Sequence, residues 1–181
     1  MIDGEKEIIK KAISGEASAF GSLYDHYQPQ IFRFIFLKVS HREEAEDLTH
    51  QVFLQGWRKI YSYDFRGFPF SSWLYRIARN EIIDYYRTKK NFLDLEEERL
   101  EEELSQEETL SALVDQNLTL EKVMIALGQL KPIDQDVIIL RFVEDLSPQE
   151  IAVILEKTQA SVRLLQHRAV KNLKKALNQI Q

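Results

Sequence analysis

Apolar residues recur along nearly the whole chain at spacings of three and four, the mark of helices that bury one side. No run alternates with the two-residue period of a strand, and six glycines and four prolines leave long uninterrupted segments. Ile8, Ile9, Ala12 and Ile13 predict a first helix that stops near Gly15. A second begins at about Ser18, its expected N-cap, with Pro29 bending or restarting it before "IFRFIFLKV". Ser40 and Glu43 have capping-box spacing and predict a third helix over about 41–60. After the loop "YSYDFRGFP", the segment "SSWLYRIARNEIIDYYRTKK" predicts a fourth, over 71–90.

The C-terminal part predicts four more, over about 118–130, 132–143, 148–155 and 159–179. Pro132 suits a first-turn position, where its missing N–H is harmless. "LSPQEIAVIL" offers Ser147 as cap, Pro148 in the first turn and Glu150 to close the box, while Thr158 caps the last helix. The expected fold is therefore all-α, with two small helical domains.

Charge divides the chain more sharply than hydrophobicity does. The net of −5 conceals +2 over residues 1–90, −10 over 91–121 and +3 over 122–181. An N-terminal domain over 1–90, an acidic linker over 91–117 and a C-terminal domain over 118–181 follow. The linker mixes leucines with glutamates and predicts a mobile or partly helical segment. No apolar run is long enough to cross a bilayer, and "MIDGEKEIIKKAISGE" lacks a signal peptide's apolar stretch, so a cytoplasmic protein is expected. The chain has no cysteine, which excludes thiolate metal sites and cysteine nucleophiles.

Chemistry concentrates on three helix faces. A short capped helix, a turn and a longer basic helix form a helix-turn-helix pattern, with six bases and no acid from Lys157 to Lys175. Val162, Leu165, Ala169, Leu173 and Ala176 form the packing side. Gln159, Ser161 and Arg163 begin the second helix and are placed for base edges. His167, Arg168, Lys171 and Lys174 are placed for phosphates. On 71–90, Leu74, Ile77, Ala78, Ile82 and Tyr85 face inward, opposite a stripe of Arg76, Asn80, Ile83 and Arg87 bordered by Trp73, Arg79 and Tyr86. Arginine neutralises phosphate and an aromatic face stacks an unpaired base, so this side suits nucleic acid whose strands are parting. On 41–60, Ala45, Leu48, Val52 and Gly56 face inward, and Glu44, Asp47, Gln51, Leu54 and Arg58 form an outward stripe suited to a protein partner. Asp47 and His50 have the i,i+3 spacing of a metal-binding pair, but no second pair accompanies them.

The segments "EEAEDLTHQVFLQGWRKI", "FRGFPFSSWLYRIARNEIIDYYR" and "LSPQEIAVILEKTQASVRLLQHRAVKNLKKAL" resemble the two domains of extracytoplasmic-function (ECF) sigma factors, over roughly 17–90 and 118–178. That resemblance implies a non-enzymatic initiation subunit without cofactor or metal. Its partners would be core RNA polymerase, promoter DNA and an anti-sigma factor, with no membrane insertion of the chain itself. The 41–60 stripe would dock on the polymerase. Arg66, Trp73, Arg76, Arg79, Asn80 and Arg87 would meet the −10 element, with the loop around 63–71 holding a flipped base. The helix-turn-helix would bind the −35 element. One departure stands out, since Leu164 and Leu165 occupy positions where many members carry a small polar residue and an arginine. The residues alone also admit a free-standing helix-turn-helix regulator with a helical sensory domain. A metal-dependent nuclease built on Glu43, Glu46, Asp47 and His50 would need carboxylates that the helix spreads over different faces.

Overall fold

The computed structural model describes residues 4–64, 67–96 and 116–180, and these are helical throughout apart from short turns. The N-terminal domain holds α1 (Glu5–Ile13), α2 (Ala17–Val39), α3 (Arg42–Lys59), a 3₁₀ turn (Ile60–Ser62) and α4 (Phe70–Glu96). The C-terminal domain holds α5 (Gln116–Gly128), α6 (Pro132–Ile138), a π turn (Ile139–Val143), α7 (Pro148–Ile154) and α8 (Gln159–Gln179). Between α4 and α5, the acidic segment lies outside the described residues.

Several boundaries differ from the sequence expectation, each for a local reason. Pro29 lies inside α2 without ending it. A proline there costs about 3 kcal/mol, but Tyr27, Ile31, Phe34 and Ile35 around it are all buried. At roughly 1.5–3 kcal/mol for each buried side chain, packing outweighs the break. Glu16, not Ser18, occupies the N-cap of α2, and Ser18 donates to the Glu16 carboxylate. Ser40 does not cap α3. It closes α2 in the left-handed region at φ 57°, whereas an N-cap requires extended backbone. His41 is extended and accepts the Glu44 N–H through its imidazole Nδ1. The predicted helix over 71–90 starts one residue earlier and continues to Glu96, and that over 132–143 divides into α6 and the π turn.

Other signals match the coordinates directly. Ser147 Oγ accepts the Glu150 N–H at 3.2 Å while the Glu150 carboxylate accepts the Ser147 N–H at 2.8 Å, completing the capping box of α7. Ser147→Ala is expected to lower the unfolding free energy by about 1 kcal/mol and Ser147→Asp to restore most of it, as read by urea denaturation. A smaller loss in the alanine variant would mean that Glu150 alone sustains the start of α7.

The inward residues of α3 and α4 enter one apolar cluster with α2, and that cluster continues into Val137, Ile139, Ile151, Ile154 and Val162 of the C-terminal domain. The two domains thus share a packed boundary, where α4 lies on α7 and α2 lies on α5 and the π turn.

Candidate nucleic-acid interface

Helix α4 keeps Leu74, Ile77, Ala78 and Ile82 buried, and that burial turns Arg76, Asn80, Ile83 and Arg87 outward. Arg87 pairs with Asp84 on its own helix at 3.1 Å. Trp73 is half-buried rather than outward, packed with Tyr63 and Phe70 at ring separations near 5 Å. These aromatics border a pocket of about 280 Å³ lined by Ser62, Tyr63, Asp64, Phe68, Pro69, Ser72, Trp73 and Arg76, and by Val153 of α7. Ser72 lines this pocket, and its Oγ is buried without a hydrogen-bond partner among the described residues. Arg66 lies outside the described residues.

Arg79 is not on open surface. It is half-buried and gives its Nε–H to Asp136 of α6 at 2.9 Å. Arg76 reaches Glu156, just beyond α7, at 3.7 Å.

On α3, Asp47, Gln51, Leu54 and Arg58 are exposed along one side, with Leu54 at 43%. Glu44 departs from this expected stripe, because Tyr85 and Lys89 of α4 both donate to its carboxylate. It braces α3 against α4. Tyr85 is accordingly only half-buried, its ring packed and its hydroxyl engaged. No set of three metal-ligating side chains gathers among the described residues, and His50 instead stacks on Tyr24.

On α8, Val162, Ala169 and Ala176 are buried, as the wheel predicts, and Leu165 and Leu173 are half-buried against the core. Gln159, Arg163, His167 and Lys171 are exposed, and Leu164 stands out at 74%. Thr158 Oγ1 accepts the Ser161 N–H at 3.2 Å and lies 2.9 Å from Ser161 Oγ, so Ser161 takes part in the cap. Arg168 is also engaged. Its Nε and Nη2 meet Asp134 of α6 at 3.1 and 2.5 Å, and Asn172 donates to the second oxygen at 2.9 Å.

Sequence reasoning missed the buried acids Asp134 and Asp136, along with Lys38, Arg33, Tyr75, Ser72 and Glu144. A signal was available in "KPIDQDVIIL", where two acids precede an unbroken apolar run.

An arginine-bearing helix over an aromatic pocket, a separate exposed stripe on α3 and a basic helix-turn-helix define an all-helical nucleic-acid-binding protein with room for a protein partner. Family comparison sharpens this class. Sigma-70 region 2 matches residues 23–92, and Sigma-70, region 4 matches residues 126–175. The ECF RNA polymerase sigma factor SigW of Bacillus subtilis is 30% identical, with 97% of each chain aligned. BldN of Streptomyces coelicolor is 33% identical over 94% of this chain, which spans 65% of that relative's length. Among solved structures, the sigma factor RpoE in complex with the anti-sigma factor NepR from Bartonella quintana superposes with a TM-score of 0.71, covering 88% of this chain and 96% of that one at 22% identity. CnrH in complex with the cytosolic domain of CnrY gives 0.69, covering 96% and 97% at 23% identity. The chain belongs to the ECF RNA polymerase sigma factors.

Proposed function

We propose that this sigma factor directs promoter-specific transcription initiation as a dissociable subunit of RNA polymerase, and that each surface above has a separate task. The α3 stripe of Asp47, Gln51, Leu54 and Arg58 docks on the core enzyme. Trp73, Arg76, Arg79, Asn80 and Arg87 meet the −10 element as it opens, with an unpaired base in the pocket beside Trp73. Flipping a base costs a few kcal/mol of unstacking, which aromatic contact offsets. The first turns of α8 enter the major groove of the −35 element, Arg163 facing base edges and His167 and Lys171 facing phosphates. Arg168 and Ser161 act more modestly, fixing the reading helix from within.

The observation that carries this reading is the pocket, since aromatic rings and the Arg76 side chain converge where a single base would fit. Chemistry stays with the polymerase, so the chain itself is not an enzyme. It acts in the cytoplasm, and no described helix is long and apolar enough to cross a membrane. An anti-sigma protein is the expected restraint, as the similar sigma factor RpoE is solved in complex with the anti-sigma factor NepR.

Adding the chain to core RNA polymerase should confer initiation at specific promoters of its host genome; failure to bind core or to initiate anywhere would refute the reading. Arg163→Ala in that holoenzyme should lose about tenfold in −35 affinity and relax preference at one base pair, because a bidentate base contact is worth about 1–3 kcal/mol. Competition binding across single-base variants of the −35 element checks this. An unchanged preference profile would remove Arg163 from the readout set.

A further inference from the structure

Glu5, the first residue of α1, is a buried acid that belongs to neither the docking stripe nor the DNA-facing helix. A carboxyl group is costly to bury unless hydrogen bonds replace its water. Here the Tyr27 hydroxyl of α2 donates to it. Ile9 and Ala12 of the same helix are buried, and α1 packs on α2 and on the 3₁₀ turn that leads to Tyr63. Tyr63 lies against this helix, lining a largely apolar hollow of about 150 Å³ together with Lys6, Ile9, Lys10 and Ile13. Helix α1 precedes residues 23–92, which match Sigma-70 region 2.

Tyr63 also lines the pocket proposed above for an unpaired base. One residue thus belongs to both hollows, and whatever fixes it against α1 fixes a wall of the base pocket. Two routes connect Glu5 with that wall. The Tyr27 ring lies 5.7 Å from Phe70, which is 5.2 Å from both Tyr63 and Trp73, and the last two are 5.3 Å apart. Such separations are those of interacting aromatic pairs, so the contacts run unbroken from the Glu5 partner to the pocket. The second route is electrostatic. Burial first, and then the Glu5 and Asp64 carboxylates, push the Tyr63 phenol up to about 12, so it stays neutral beside them. A wall held in this way is in place before the base arrives, and a site ordered beforehand loses less affinity to ordering on binding.

We propose that Glu5 is a positioning residue for promoter opening: through the Tyr27 hydroxyl it seats α1 against Tyr63 and holds the aromatic wall of the base pocket in place. It touches no nucleotide itself. The role rests on the reading of that pocket as the seat of an unpaired base. It also gives the N-terminal helix a part in strand opening.

The test uses holoenzyme assembled from the full-length chain and core polymerase, on a promoter at which it initiates. Single abasic substitutions along the non-template strand of the −10 element locate the base whose loss weakens binding most. Glu5→Ala should then lower affinity for the intact promoter by about tenfold, most of what the seated base contributes by stacking. Affinity for the promoter lacking that base should stay unchanged, because only a seated base meets the wall. Glu5→Gln keeps an amide oxygen that accepts from Tyr27 and should stay within about threefold of wild type. Tyr27→Phe removes only the hydroxyl and should behave as Glu5→Ala does, and it decides the point alone if Glu5→Ala loses helix content by circular dichroism. Equal losses on intact and abasic DNA would make Glu5 a general stabiliser of the fold and overturn the proposal. So would variants that bind the intact promoter as wild type does. A wild-type holoenzyme indifferent to every abasic substitution would overturn the base pocket and the proposal with it, so the two failures are told apart.

Discussion

Leu54→Asp is expected to abolish promoter-dependent initiation while leaving the fold intact. Leu54 is substantially exposed on α3, whereas its neighbours Val52 and Phe53 are buried, so the substitution leaves the core packing undisturbed. In the docked state it removes an apolar anchor, worth roughly 1.5–3 kcal/mol on burial. It also places an unpaired carboxylate in a drying interface already bordered by Asp47. Losses of 2 kcal/mol or more are typical of central anchors, so core affinity should fall at least about thirtyfold. Titration of labelled protein with core polymerase measures this, alongside an unchanged thermal unfolding curve. Affinity within a few-fold of wild type would remove Leu54 from the docking face.

The second large effect falls on stability. Asp134→Ala should lower the unfolding free energy by about 3 kcal/mol, near the lower end for breaking a buried ion pair. Asp134 is wholly buried and accepts from Arg168 and Asn172, joining α6 to the middle of α8. Arg168 retains access to water on one side, which moderates the loss. Urea unfolding gives the magnitude, and faster hydrogen exchange along α8 should accompany it. A change below 1 kcal/mol would mean that α8 is held by its apolar side alone. In that case Arg168 would return to the phosphate-facing set expected from the sequence.

That correction illustrates how much the sequence can disclose. Helical periodicity located the helices because their apolar faces dominate their stability, and the capping box at Ser147 and the cap at Thr158 were legible because both are local. The outward residues Arg76, Asn80, Asp47 and Leu54 follow from the same wheel. Partners distant in sequence are another matter. Nothing near Glu44 announces Tyr85, and nothing near Arg168 announces Asp134, since such pairs arise only when helices pack. The pocket is likewise a tertiary product, because Ser62 and Tyr63 meet Ser72 and Trp73 across a loop whose middle carries no periodic signal. Ser40 was misplaced for a subtler reason. Its type suits a cap, but backbone handedness decided which helix it served.

The π turn at Ile139–Val143 gives the boundary between the domains a dependence on chain length. Glu144 N–H bonds to the Ile139 carbonyl five residues back, at 3.0 Å, instead of four. One residue is in effect inserted into the helical count, and every later side chain is turned by about 100° relative to a continuous α-helix. Glu144 faces Arg33 and Tyr75 in that shifted phase. A relative lacking one residue in this turn would keep every charge and yet aim the carboxylate elsewhere. Deleting one residue of this turn is therefore expected to lose the Glu144 contacts to Arg33 and Tyr75 without altering any charge.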